Sequence, residues 1–419
     1  MSSLRTRLIS ENFLVFSRAL GVKGLVLGLN ATTIVLLPWV LGADSYAGFA
    51  ILSSAMALAV GTFRTPIEIL IQRSFQTNAE NFSTFYDLSN FRFLLILSML
   101  AGALLSFATL SFSGYEMEMV AVVLFGLGAA VGVISGARRG SLIVSHQTDR
   151  VDILDLLLRP AFFLLAISSY KIVFGSAETV LIAMFALSFL LVLCVPNICA
   201  LRLLLSNAVG GAARGTLDWI KLVLSTSLSA LRQNGDVILL ASIVGGPIVG
   251  SYFILVRITD LLAFGNNYAN LRYTHRFAKA VRDGDGVARR ATVRAATRLS
   301  FAVALIGAVP ALALGPWVLP MIQENLADLY LPFAILISGQ IVNGMFGPRG
   351  AFLTSQWPGL SLAIKAVNST FGLVLLYFLT AEFGLIGTAC AVATSTITAN
   401  LLVAAAFWRL SCSLPQKQS

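Results

Sequence analysis

The chain alternates long apolar runs with brief polar punctuation, and each run is about as long as one bilayer crossing. A hydrocarbon core of about 30 Å takes about 20 residues of helix to span. Twelve runs meet that length: 22–41, 46–64, 91–112, 118–137, 154–174 and 178–200, then 219–244, 248–268, 299–320, 329–347, 359–380 and 384–407. The second is the weakest, and its far end, Phe63–Phe75, is amphipathic and extends it. Pro38, Pro66, Pro160, Pro310 and Pro332 fall inside these runs and are candidate kinks, which membrane helices tolerate when neighbours satisfy the freed backbone groups. The pattern predicts an all-α integral membrane protein of about twelve transmembrane helices.

Composition agrees with the pattern. Of 419 residues, 57% are apolar and 11% charged, and the mean hydropathy is +0.86. A soluble domain carries about 25% charged residues, so this surface is too poor in charge to face water and must face lipid. The net charge of +10 does not point to nucleic acid, because the basic residues lie in short segments between apolar runs. Cys194, Cys199, Cys390 and Cys412 sit in or beside apolar runs without paired spacing and read as core residues. His146 and His275 lie in basic loops and form no metal motif. No cofactor, metal or enzymatic activity is expected. Arg5, Arg7 and Arg18 precede a first run that continues to Leu41 without a small-residue cleavage pattern, which reads as an uncleaved signal-anchor.

Charge also predicts orientation. Loops 42–45, 113–117, 175–177, 245–247, 321–328 and 381–383 lack Lys and Arg, whereas the alternate segments carry Arg138, Arg139, Arg150, Arg202, Arg214 and Arg349. The segment after the eighth run holds Arg272, Arg276, Lys279, Arg282, Arg289, Arg290, Arg294 and Arg298. The positive-inside rule then puts both termini in the cytoplasm. Arg290, Arg294 and Arg298 share one helical face and read as a surface for anionic lipid headgroups.

The glycine-rich stretch 201–218 separates two six-helix lobes, residues 1–210 and 211–419. A faint repeat accompanies the division. Val40–Leu52 aligns with Ile243–Leu255, each with a glycine at the outer turn and an aromatic residue soon after it. Like-oriented repeats suit a transporter with its site at the midplane between the lobes.

Charge inside the membrane marks where chemistry sits, since a charged residue at a helix centre costs roughly 2.5–3.5 kcal/mol on insertion scales. Arg232 and Asp236 lie deep in the seventh run, and Arg257 and Asp260 near the middle of the eighth. Arg18, Lys23, Arg64 with Glu68, Arg159 and Lys365 lie nearer the cytoplasmic side. Snorkelling to the interface is the expectation for Arg159 and Lys365. Spacings of four and three put each Arg–Asp pair on one helix face. Two readings follow: self-neutralised pairs that glue two helices together, or a cationic, water-filled cavity. Arg precedes Asp in both pairs, the less favourable order along the helix dipole, and the shallower cations leave an excess of positive charge. The cavity is therefore the preferred reading, and it suits an anionic substrate.

Several motifs resemble one family. Gln233–Leu240 (QNGDVILL), Val244–Tyr252 (VGGPIVGSY) and Arg257–Asp260 (RITD) resemble the seventh and eighth helices of bacterial polysaccharide flippases. These are the O-antigen and exopolysaccharide exporters of the multidrug/oligosaccharidyl-lipid/polysaccharide superfamily. Leu41–Phe49 is similar to the family's first outer turn, and Gly384–Thr394 to the opening of its last helix. Phe63–Pro66 through Arg73 is more loosely similar to the second helix of lipid II flippases.

The resemblance implies two six-helix bundles around a V-shaped central cavity. There, Arg18, Lys23, Arg64, Arg232 and Arg257 would engage an undecaprenyl-pyrophosphate-linked glycan. Asp236, with Asp260, would couple transport to H+ or Na+. It further implies residence in the bacterial inner membrane among membrane lipids, with glycosyltransferases and a polysaccharide polymerase as partners. The alternatives are a cation-coupled multidrug exporter of the same fold and a lipid II flippase. A membrane glycosyltransferase would need catalytic groups in a large outward loop, and the outward loops here are short.

Overall fold

The structure, a computed structural model, describes residues 28–29, 31–77, 96–104, 107–108, 111, 119–144 and 216–413. Arg18, Lys23, Arg159, Cys194 and Cys199, together with the spans 154–174 and 178–200, lie outside them. The described residues are almost wholly helical and contain no strand. Helices satisfy every backbone group within the segment, which is the condition for crossing lipid.

The chain divides into two compact units. The first comprises residues 1–41, 67–104 and 117–212, and the second residues 42–66, 105–116 and 213–419. In the first unit, Arg139 of the helix Met119–Val144 meets Glu68 across 3.5 Å.

The second unit contains most of the described structure. Its helices are α1 (Ala43–Thr77, of which the part up to Pro66 belongs here), α2 (Thr216–Ile243), α3 (Pro247–Leu262), α4 (Phe264–Arg282) and α5 (Gly286–Ile322). A 3-10 turn over Glu324–Leu329 follows, then α6 (Tyr330–Phe346), α7 (Arg349–Gln356) and α8 (Pro358–Ser413). Among the described residues five stretches are long and apolar enough to cross a bilayer: Tyr46–Ile69, Ile248–Thr274, Gly286–Ile322, Glu324–Phe346 and Pro358–Leu410. The last is 53 residues long, more than twice the need, and Gly384 with φ +55° breaks it into two arms. The predicted runs 359–380 and 384–407 are those arms.

The outer faces are apolar, with Ile306, Trp317, Met321, Phe378, Phe383 and Trp408 all exposed. In water this would be an aggregation surface, and in a bilayer it is the lipid face. Trp317 and Trp408 stand near helix ends, where amphipathic rings favour the headgroup layer.

The basic segment after the eighth run departs from the sequence reading. It is a helical hairpin and not a loop: α4 runs to Arg282 and α5 begins at Gly286. Asp285 caps α5 by accepting from the Val287 and Ala288 backbone N–H groups at 2.9 and 2.8 Å, which satisfies donors left open at a helix start. Phe277 of α4 stacks on Phe352 of α7 at 4.5 Å, so the hairpin base is tied to the body of the unit. Pro332 sits in the first turn of α6, where a missing N–H costs nothing, and it therefore makes no kink.

The repeat is visible in three dimensions. Gly42 and Gly245, aligned in the sequence, both take positive φ, 79° and 67°, and each turns the chain into the helix that follows. Those helices then meet at aligned positions. A Cβ on Gly250 would lie 3.3 Å from the Ala47 backbone nitrogen and 3.1 Å from Tyr46 Cδ1, and the Tyr46 ring meets Phe253 edge-on at 6.0 Å. The aligned residues Ala47 and Gly250 therefore lie directly against each other.

Candidate functional site

The seventh run becomes α2, and it carries Ser229, Arg232 and Asp236 into the interior of the unit. The Arg232–Asp236 ion pair that four-residue spacing allows is not formed. Arg232 Nη1 donates instead to Thr396 Oγ1 of α8 at 3.2 Å. Asp236, 3% exposed, accepts from the Tyr252 hydroxyl of α3 at 2.8 Å and from the Val237 N–H at 2.9 Å. A deeply buried carboxylate needs such donors, because leaving it bare costs far more than the hydrogen bonds return. Each member of the sequence pair has thus found its partner on another helix.

The second pair does form. Arg257 Nη1 lies 3.3 Å from Asp260 Oδ2, with Asp260 half-exposed, and its guanidinium sits 4.4 Å from the Phe253 ring centroid. This is a local arrangement of the kind expected from three-residue spacing.

Arg232 faces a cavity of about 180 Å³ that lies wholly in the second unit. Its polar lining includes Ser229, Arg232, Asn266, Asn343, Lys365, Asn368, Thr396 and Asn400, and no Asp or Glu contributes to it. A smaller void of about 20 Å³ adjoins Arg232 on another side and touches Asp236. Arg257, Asp260 and Arg64 line neither space. Arg64 is half-buried on α1, beside the interior Pro66.

Lys365 is the principal correction. Its place along the run predicts snorkelling toward the interface, yet it lines the cavity with Arg232. No ion pair or hydrogen bond holds its ammonium among the described residues. Two fixed cations share one hollow and no lining carboxylate balances them.

Amides complete the walls. Asn400 and Asn266 both donate to Asn343 Oδ1, at 3.2 and 3.4 Å, and Asn343 Nδ2 donates to Gln340 at 3.1 Å. The Ser300 hydroxyl donates to Asn266 Oδ1 at 3.3 Å. Asn368 gives its Nδ2 to Ser395 at 3.2 Å. These residues come from four helices spread over more than 130 positions of sequence, so no local motif announces them. The available signal is the isolated asparagines inside apolar runs, Asn343, Asn368 and Asn400, each costly in lipid unless it faces a polar partner. Tyr252 and Thr396 were likewise not singled out.

The backbone belongs to a known architecture. Superposition on an inward-facing multidrug-resistance MATE family transporter of the MOP superfamily gives a TM-score of 0.67 at 16% identity, covering 95% of this chain and 96% of the other. The outward-facing conformation of such a transporter also gives 0.67 at 16% identity, with 93% and 94% covered. A MOP superfamily transporter from Pyrococcus furiosus, described as having a binding pocket of reversed polarity, gives 0.67 at 15% identity, with 94% and 95% covered. The chain shares the fold of these transporters. It is all-α and integral to the membrane, as the apolar runs predict, with helices in two bundles. No protein-family model matches the chain, and no curated protein sequence does.

Proposed function

We propose that this protein is a flippase that carries an anionic, lipid-linked oligosaccharide, an undecaprenyl-pyrophosphate glycan, from the cytoplasmic to the periplasmic leaflet of the bacterial inner membrane. The observation that carries the reading is the hollow shared by Arg232 and Lys365 with no lining carboxylate. Two cations on a low-dielectric hollow whose own lining holds no acid raise the local concentration of anions and disfavour organic cations. The transporter fold supplies the means of moving such a cargo by alternating access.

In this reading Arg18, Lys23, Arg64 and Arg257 belong to the path of the anionic group, and Arg232 with Lys365 to its deepest part. Asp236, held by Tyr252, and Asp260 are the carboxylates for coupling to H+ or Na+. Glycosyltransferases would supply the substrate and a polymerase would consume it. Both termini face the cytoplasm.

Proteoliposomes containing the purified protein and a fluorescent lipid-linked glycan test the proposal. The wild type is expected to expose the label to an added reagent, and the Arg232→Gln, Lys365→Gln double variant to leave it protected although correctly inserted. Flipping by the double variant at the wild-type rate would defeat the reading. The structural neighbours described as multidrug transporters favour one rival, drug export. Efflux of cationic dyes from the same vesicles, without glycan flipping, would establish that rival instead.

A further inference from the structure

The walls of the cavity ask for more than negative charge. Asn368 is 2% exposed, its Nδ2 is taken by Ser395, and its Oδ1 has no donor among the described residues. A buried carbonyl oxygen without a donor costs about 1–3 kcal/mol. The residue lines the hollow that also holds Arg232 and Lys365, so an occupant has to bring both a negative group for the cations and a hydrogen for Asn368. Halides and the ionised oxygens of a phosphodiester linker bring only the first, and inorganic phosphate, which keeps a P–OH near neutral pH, lacks the several hydroxyls that the facing amides can bind. A neutral polyol brings only the second. Asn266, Asn343 and Asn400 on the opposite walls extend the amide surface, which can both donate to and accept from hydroxyl groups. The volume of about 180 Å³ is many times the roughly 10–15 Å³ that one water needs, and leaves room for one pyranose ring and its substituents.

We infer that the cavity is a subsite for an acidic sugar, with its ring carboxylate on Arg232 and Lys365 and its hydroxyls on Asn368 and the asparagines facing it. The inference rests on the flippase reading for its biological source, a uronate-type residue of the carried glycan and not the pyrophosphate linker. The cavity itself stands without that reading. Lys365 serves as the charge-reading residue and Asn368 as the hydroxyl-reading one.

Calorimetry on the full-length protein in nanodiscs distinguishes the arms, using glucuronate, glucose, inorganic phosphate and chloride as probes. Glucuronate is expected to bind at least tenfold more tightly than glucose or phosphate. Lys365→Met is expected to reduce glucuronate affinity about tenfold, with partial recovery in Lys365→Arg. Asn368→Leu, a second variant that keeps both cations, is expected to abolish the preference for glucuronate over phosphate while phosphate binding persists. Equal binding of phosphate by the wild type would overturn the inference in favour of a linker site. Equal binding of glucose would remove the anion from it, and absence of glucuronate binding would overturn it outright. Sugar binding without glycan flipping in proteoliposomes would remove the flippase and keep the subsite. Flipping without sugar binding would do the reverse.

Discussion

Tyr252 of α3 donates to Asp236 of α2 across 2.8 Å, and so occupies the carboxylate that four-residue spacing offers to Arg232. The consequence is a separation of charges. Asp236 is satisfied inside the α2–α3 contact, while Arg232 is released toward Thr396 and the polar cavity. Removing the hydroxyl tests this. In Tyr252→Phe, Asp236 keeps only the Val237 N–H, and the loss of a hydrogen bond to a charged group costs about 1.5–3 kcal/mol. Thermal unfolding in detergent should show a lowered midpoint, whereas the same substitution at the exposed Tyr377 should leave it unchanged. Equal midpoints for wild type and Tyr252→Phe would mean that the bond contributes nothing.

Lys365 should matter to transport as much as Arg232 does. The two share a cavity without a lining acid, so removing either halves its fixed charge. Lys365→Gln is expected to slow glycan flipping by at least tenfold, comparable to Arg232→Gln, with both variants folded. A snorkelling lysine would leave the rate where it was.

Much of the architecture was legible because lipid imposes one rule on every span. The predicted runs 219–244, 329–347, 359–380 and 384–407 differ from α2, α6 and the two arms of α8 by only a few residues at most ends. The turn after α2 was equally readable, since Gly245 and Gly246 both take positive φ, a conformation in which glycine has no steric penalty. Of the helical hairpin over Asn270–Arg298, only the stripe Arg290, Arg294 and Arg298 is legible as helix. Apolar periodicity marks helices that pack or enter lipid, and a basic segment displays little of it while remaining helical in water. The site was half legible. Depth along a run identified Arg232, but depth is a one-dimensional measure, and it misplaced Lys365. What encloses that ammonium are side chains from other helices, including Asn343, Asn368 and Asn400, and sequence spacing carries no information about them.

The Arg257–Asp260 pair should contribute little to folding. Asp260 is half-exposed and the contact spans 3.3 Å between neighbours on one helix, so if its open side meets water, as the transport reading requires, the pair is worth only about 0.3–0.5 kcal/mol. Asp260→Asn is expected to shift the unfolding midpoint by less than Tyr252→Phe does. A larger shift for Asp260→Asn would show that the pair is held in a drier and more demanding environment.

Gly250 offers the sharpest test of the packing between the two repeats. It has no side chain at the point where α3 crosses α1, and a Cβ there would sit 3.1 Å from Tyr46 Cδ1 and 3.3 Å from the Ala47 nitrogen. The first neighbour is an aromatic ring that is itself 2% exposed and already in contact with Phe253, and the second is backbone, so neither can retreat cheaply. Small residues at such crossings let membrane helices approach through van der Waals packing, which replaces the absent hydrophobic drive in lipid. Gly250→Ala should therefore be measurable and Gly250→Leu severe, with overpacking of about 1–3 kcal/mol for the larger change. Lateral separation of α3 from α1 would also carry Tyr252 away from its neighbours, so Gly250→Leu should depress glycan flipping along with stability. Were Gly250→Leu to unfold at the wild-type temperature, the close approach of the aligned helices would be wrong.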